Sequence, residues 1–394
     1  MFNSIYLDNG ATTTTDPKVI EAMLPYFSKK YGNASSAHTF GFDAKEALNH
    51  AREIIANSVN ARPEEVIFTS GGTESNNFAI KGIYFANKDK GNHIIIPSTE
   101  HKCVVQACTW LEKFGCSITR IPVDKEGFVN PKDIEKAITK KTILVSVMHG
   151  NNEVGTIQDL QAIGKICAKH KIYLHTDACQ SYTKTTLDAQ AMNLSLITIN
   201  SHKINGPKGV GALVIRKGTL IDPLLHGGAQ EFDKRAGTEN IAGIVGFGKA
   251  VQLANKRKHN KQMSKLRDML IDGLLKIPEA ALNGPRGDKR LANNINIRFK
   301  GVEGSAIGGY LDRKFISSST GSACSEASEK ESYVLLAMGL SKQEAKGSLR
   351  LTLSRFTEEK DIEKTIKVMT TIIAKLRKNT PFGKLMNKVF KDEE

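Results

Sequence analysis

Between about residues 60 and 220 the chain alternates two hydrophobic rhythms. Short β-branched runs read as strands: VIFTS from Val66, HIIIPS from His93, SITRIPV from Ser117, TILVSVMH from Thr142, IYLHTD from Ile172, LITIN from Leu196 and ALVIR from Ala212. Several are apolar on both faces, as a sheet buried between two layers requires. Between them SNNFAIKGIYFAN from Ser75 and LQAIGKICAKH from Leu160 carry helical spacing. This alternation predicts an α/β unit with a mostly parallel sheet covered by helices.

From about residue 250 the rhythm changes. A charged helical stretch from Ala250 to Leu275 leads into a mixed region, where NNINIRF from Asn293 and SLRLTLSRF from Ser348 read as strands of a smaller α+β sheet. An amphipathic helix over roughly Thr357 to Leu376 follows. FISSSTGSACSEASEKES, from Phe315, is rich in Ser, Gly and Ala, can bury little apolar area and predicts a mobile loop. No internal repeat or low-complexity tract is visible. A chain of 394 residues predicts two or three folding units.

Composition narrows the class. Apolar runs such as Ile94 to Pro97 are far short of the roughly 20 residues that cross a bilayer. The opening MFNSIYLDNG lacks a basic start followed by an apolar stretch, which predicts a cytoplasmic protein. Lys and Arg outnumber Asp and Glu by 56 to 41, a formal charge of +15. Such a surplus suits nucleic acid or a membrane surface, but the basic residues are spread along the chain. The densest run, KRKHNKQMSKLR from Lys256, reads as a solvated helix face, so neither partner is expected. The six cysteines, Cys103, Cys108, Cys116, Cys167, Cys179 and Cys324, include no CxxC pair, so no metal site is signalled. Without an export signal disulfides are not expected, and a buried apolar role is the default for each.

The densest chemistry lies in NSHKINGPKGVGAL, from Asn200 to Leu213. A strand ends, His202 and Lys203 follow, and a Gly/Pro turn closes the segment. Residues at the C-terminal ends of parallel strands face the ligand crevice. A partly desolvated lysine there is an amine nucleophile suited to an aldehyde cofactor such as pyridoxal phosphate. A surface lysine beside a turn is the alternative. HTDACQ puts Asp177 at another strand end, with Gln180 three residues on. A buried carboxylate beside a pyridine nitrogen keeps that nitrogen protonated. TSGGTESNN turns from strand to helix through Gly71 and Gly72, and its free N–H groups with the Thr73 hydroxyl suit a phosphate.

With these motifs the chain resembles the NifS/IscS-type cysteine desulfurases of the class V aminotransferase group. The resemblance runs from YLDNGATTTTDPKV to SLRLTLSRFT and rests on TSGGTESNN, TEHKC, NNEVGTIQD, HTDACQ, SHKINGPKGVGAL, GGAQEFDKRAGTEN and STGSACS. It implies a fold type I pyridoxal-phosphate enzyme: a large domain over residues 16–250 with a seven-stranded sheet, and a small domain over 1–15 and 251–394 carrying the loop at about 315–332. Lys203 resembles the lysine that forms a Schiff base with pyridoxal 5'-phosphate, and His101 the histidine that stacks on the ring and handles protons. Asp177 would hold the ring nitrogen and Gln180 the ring hydroxyl. Thr73 and His202 would bind phosphate, and Asn152 and Arg350 the substrate carboxylate. Thr238, in RAGTEN, is similar to a threonine that reaches the partner subunit's cofactor, which implies a homodimer. Cys324 resembles the nucleophile that takes sulfur from L-cysteine as a persulfide, leaving L-alanine.

Three positions depart from the family pattern. Asn200 stands where a serine phosphate ligand is usual, with Ser201 next, and either suits the phosphate. Ala34 replaces the proline of a GNPSS turn, and Asp233 a glycine before the RAGTEN arginine. The resemblance further implies a sulfur acceptor, either an iron–sulfur scaffold or a tRNA-thiolation protein. Its rivals are a selenocysteine lyase or a related class V aminotransferase-like enzyme, neither of which needs a loop cysteine, and outside catalysis a basic scaffold. The final TPFGKLMNKVFKDEE reads as a docking tail or a disordered end.

Overall fold

The computed structural model describes residues 4–254, 257–320 and 331–378. Its strands are β1 (Ile5–Tyr6), β2 (Val66–Thr69), β3 (His93–Pro97), β4 (Ser117–Ile121), β5 (Thr142–Ser146), β6 (Tyr173–Asp177), β7 (Leu196–Asn200), β8 (Gly211–Ile215), β9 (Ala280–Leu282), β10 (Asn294–Phe299), β11 (Ile316–Ser317) and β12 (Ser348–Thr352). Seven form one sheet in the order β2-β8-β7-β6-β5-β3-β4. From β7 to β4 neighbouring strands are parallel, and β8 runs antiparallel to both β7 and β2.

The strand sequences explain why this sheet is buried on both sides. Ile95 faces one core while Ile94 and Ile96 face the other, the period of two expected of a strand. Ile197 and Ile199 likewise join the first core and Leu196 the second. The first core is closed by the helices Thr39–Ser58 and Ile241–Ala254, through Leu48, Ile55, Ile244 and Phe247. The second is closed by Gly72–Asn87 and Lys102–Glu112, through Phe78, Ile80, Val104 and Leu111. The chain leaves β3 outward to β4, then returns to β5 and continues the other way to β6 and β7. The strand order therefore reverses between β3 and β5, and a crevice opens at the C-terminal strand ends beside such a switch.

A separate core joins Ile5 and Leu7 to residues between Leu266 and Ile373. Here β12-β10-β9 form an antiparallel sheet, β1 pairs with β11, and the helices Arg257–Leu275 and Glu359–Lys378 cover them. The expected helical stretch from Ala250 to Leu275 is helical over its described residues, in Ile241–Ala254 and Arg257–Leu275. Its basic run is a solvated face only in part. Lys258, Lys261 and Lys265 are exposed, but Arg267 is buried and donates to the carbonyls of Arg290 (2.9 Å) and Leu291 (3.1 Å). Among the described residues no helix is long and apolar enough to cross a membrane.

The N-terminal segment stitches the two parts together. Thr352 N donates to Leu7 O (2.6 Å), Asn9 Nδ2 to Thr352 O (2.8 Å) and Gly10 N to Thr352 Oγ1 (2.6 Å). Three residues on, Thr13 Oγ1 donates to His202 O (2.7 Å). One short polar run thus touches β12 at one end and the turn after β7 at the other.

Candidate active site

The crevice at the strand ends gathers most of the residues singled out above. Asp177 ends β6, buried, and its carboxylate accepts from Asn76 Nδ2 (2.6 Å) and Cys179 N (2.9 Å). Beneath it, two residues back, His175 lies between Ser146 Oγ (2.8 Å) and Thr198 Oγ1 (3.1 Å); burial pushes its pKa down to about 4, so the ring is neutral. Gln180 Nε2 donates to Gly10 O (2.9 Å).

Lys203 sits in the turn after β7. Its Nζ donates to the carbonyls of Gly10 and Ala11 (2.6 Å to the latter), so the N-terminal segment lies directly on the amine. Lys184, which sequence reasoning passed over, donates to the carbonyls of Gln180 (2.9 Å) and Lys203 (3.2 Å). Burial and then the charge of Lys203 push Lys184 down to about 7. His202 Nδ1 lies 3.2 Å from Thr12 Oγ1. Burial, then the charges of Lys203, Lys208 and Lys184, push His202 down to about 4, which makes it neutral at physiological pH.

The helix Gly72–Asn87 points its start into the same crevice. Gly71 has φ +152°, a conformation that a side chain would strain, and it turns β2 sharply into that helix. A Cβ on Gly72 would meet Cys179 Sγ at 2.6 Å and Asn200 Nδ2 at 3.4 Å, so Asn200 stands at this helix start. Ser201 faces elsewhere: its Oγ lies 1.9 Å from where a Cβ on Gly206 would be, in the direction of Ala250. Thr73 is exposed in the first helical turn.

His101 caps the helix Lys102–Glu112, its Nδ1 accepting from Cys103 N (3.3 Å) and lying 2.9 Å from Cys103 Sγ. On the other wall Arg350, buried on β12, donates to Asn152 O (3.1 Å) and Asp8 Oδ1 (2.9 Å). Its backbone pairs both ways with Ser319, at 3.1 Å and 2.6 Å. Beyond residues 321–330, Ser332 donates to Glu153 and Tyr333 to the carbonyl of Glu100. Cys324 lies outside the described residues. Thr238 is exposed, in the segment that Arg235 ties to Glu74 of the first helical turn (2.9 Å). Of the remaining cysteines, Cys108, Cys116, Cys167 and Cys179 are buried as expected, and Cys103 is partly exposed.

This donor set fits a phosphorylated pyridine aldehyde. A buried carboxylate ends one strand, an amine follows the next, and helix-start amides with Asn200 lie alongside. Among the described residues the buried Asn200 Oδ1 and Asn152 Oδ1 have no hydrogen-bond partner, which is the condition of polar groups that await one.

The aminotransferase class-V family model matches residues 5–365. The chain belongs to that family. It is 49% identical to the cysteine desulfurase IscS of Methanosarcina thermophila over 380 residues, covering 96% of this chain and 94% of that one. It is also 49% identical to the cysteine desulfurase IscS of Dictyoglomus turgidum over 385 residues, covering 97% and 98%. Among solved structures, a NifS-like protein superposes with a TM-score of 0.89 at 34% identity, covering 94% of this chain and 99% of its own. SspA in complex with cysteine gives 0.81 at 35% identity, covering 90% and 100%.

Within this family site Glu100 carries a measurable consequence. It is fully buried behind His101, and burial followed by the Asp177 charge pushes its carboxyl up to about 8. Unfolded, it would lose its proton near 4.5. Between these values the folded state holds the extra proton, so folding is favoured most at low pH and this contribution fades as pH rises through about 8. Glu100→Gln removes that slope. Wild type is expected to lose about 3–5 kcal/mol of stability relative to the variant between pH 4.5 and pH 8. Denaturant midpoints at the two pH values test this, and parallel curves for the two proteins would refute it.

Proposed function

We propose that the chain is a pyridoxal-phosphate-dependent cysteine desulfurase that carries sulfur as a persulfide on Cys324. The carrying observation is the meeting of Lys203, Asp177, His101 and Arg350 at one end of the sheet. When bound, the cofactor supplies a ring that accepts the electron pair released at the substrate Cα. Asp177 is read as the partner of the ring nitrogen, Gln180 of the ring hydroxyl. His202, Thr73 and above all Asn200, which faces the helix start, are read around the phosphate, and Ser201, on the Gly206 side, is read outside it.

The chain's own residues then do the following. Arg350 and Asn152 hold the substrate carboxylate, the arginine fork giving two-point contact. Lys203 would hold the cofactor, and its amine, once free, would take the Cα proton. His101 would cover the cofactor ring and would hold and return the proton of the substrate thiol. The Cys324 thiolate attacks the substrate sulfur, and a new S–S bond forms as the C–S bond breaks. The C–S electron pair stays with Cβ, which is protonated, the Cα proton is returned, and alanine leaves.

Two further assignments accompany this reading. Residues 16–250 serve as the cofactor-holding unit, and 1–15 with 251–394 as the unit bearing the cysteine. A homodimer completes each site with Thr238 of the partner subunit, and the exposed Leu24, Phe27, Tyr31, Phe40 and Phe42 supply apolar surface for a second copy to cover. The persulfide then passes, in the cytoplasm, to an acceptor such as an iron–sulfur scaffold.

The test is alanine and sulfide release from L-cysteine with reductant. Wild type is expected to form alanine. Cys324→Ala is expected to bind cofactor and cysteine, to perturb the cofactor spectrum, and to form none. A mutant as active as wild type would remove Cys324 from the mechanism. Near-inactivity on cysteine with rapid turnover of selenocysteine would favour the lyase instead.

A further inference from the structure

One cluster in this crevice has chemistry that the desulfurase reaction does not use. His101 Nδ1 and Cys103 Sγ are 2.9 Å apart, and one donor atom from each of His101, Cys103 and Asp177 lies within 4.8 Å of the others. Asn76 Nδ2 donates to both Cys103 Sγ (3.1 Å) and Asp177 Oδ2 (2.6 Å), fixing the sulfur and the carboxylate relative to each other. His101 and Cys103 are partly exposed and Asp177 is buried, so an ion can reach the sulfur from the crevice and finds its third donor at the floor.

We infer that, while the cofactor is absent, His101, Cys103 and Asp177 form a site for a thiophilic divalent cation such as zinc. One imidazole, one thiolate and one carboxylate with a fourth position for water is the donor count of an open zinc site. Sulfur and oxygen donors together disfavour magnesium and calcium, which take all-oxygen shells. Ordinary zinc bond lengths in a tetrahedron set nitrogen and sulfur roughly 3.5 Å apart. The pair therefore opens by several tenths of an ångström, which a rotation of the Cys103 side chain supplies. Binding displaces the thiol proton, so affinity rises with pH. Asn76 is the outer-shell partner that holds two of the ligands in place.

The consequence concerns loading. In the reading given above, Asp177 faces the ring nitrogen and His101 stacks on the ring, so neither can serve the metal and the cofactor together. Cofactor clears the site, and a metal that arrives first keeps the cofactor out. Cys103 is what makes the trap, because His101 and Asp177 alone offer two ligands.

The experiment uses the full-length chain carrying Cys324→Ala, so that the thiol at 324 does not compete, stripped of cofactor and titrated with Co²⁺. One equivalent is expected to give a thiolate-to-cobalt charge-transfer band with tetrahedral d–d absorption. Adding Cys103→Ala is expected to abolish the charge-transfer band. It should also weaken binding by more than the roughly 10–100-fold that loss of an outer-shell partner costs. Reconstitution with pyridoxal phosphate is expected to expel the cobalt, and the loaded protein is expected to show no band. Absence of a thiolate band, its survival in Cys103→Ala, or cobalt retained beside bound cofactor would each overturn the inference. Failure of pyridoxal phosphate to bind any variant would count against the cofactor reading, and the cobalt titration of the stripped chain would still decide the metal.

Discussion

Lys203→Ala is expected to lower the rate of alanine formation by roughly 10²–10⁴-fold, the range that a positioned proton-transfer group contributes. The amine lies against the carbonyls of Gly10 and Ala11 rather than in open solvent, so its place in the crevice is restricted. No water or buffer amine reproduces that placement. Because the lysine also ties down the N-terminal segment, the variant's thermal midpoint must be measured beside its rate. A modest fall in midpoint with a large fall in rate is the expected pair. A variant that keeps more than a tenth of the rate would remove Lys203 from proton transfer.

A second large effect on stability is expected away from the crevice. Arg52 and Glu231 form a buried two-point ion pair, with both contacts at 2.8 Å, and Glu231 also accepts from Phe68 N on β2 (2.7 Å). The Arg52 guanidinium is sandwiched between the rings of Phe68 (4.8 Å) and Phe232 (4.9 Å). Glu231→Ala leaves the arginine charge buried without its counter-ion and is expected to cost about 3–5 kcal/mol. The double variant Arg52→Met, Glu231→Leu is expected to recover most of that, because replacing both charges avoids the unpaired one. Denaturant midpoints of the three proteins decide it, and a single-variant loss below about 1 kcal/mol would mean that water reaches the pair. Glu231, Phe232 and Asp233 all have left-handed backbone angles. The ion pair thus also pins a strained turn just before the segment bearing Thr238.

Much of this architecture is legible in residue patterns. Most β-branched runs became strands because their side chains find apolar partners on both faces, as Ile94, Ile95 and Ile96 do, while the edge strand Ser117–Ile121 is largely exposed. The strand-end chemistry of Asp177, Asn200 and Lys203 is legible for the same reason, since a run that must be buried also fixes where its end emerges. What escaped lacks a local signal. β1 and β11 hold two residues each and exist because Ile5 meets Ile316 across the chain. The helix Thr39–Ser58 buries small residues, Ala44, Ala51 and Ala56, against its neighbour, a stripe with weak hydrophobic contrast. Glu100, Asn76 and Lys184 matter through burial beside other polar groups, which no spacing reports. Arg267 reads as one more basic residue of a solvated run, yet turns inward to cap carbonyls.

The stitch between the N-terminal segment and β12 has a consequence for how the protein comes into being. Leu7, Asn9 and Gly10 leave the ribosome at least 342 residues before their partner Thr352. At the usual pace of synthesis the opening segment waits for tens of seconds before that partner exists. Until then Gly10 and Ala11 lack the anchor that holds their carbonyls over Lys203. The seven-stranded sheet can form on the nascent chain, since its strands are complete by residue 215. A chain released before residue 352 would keep that sheet and its lysine yet lack the anchor for the carbonyls above it, so competence arrives only once Thr352 has emerged.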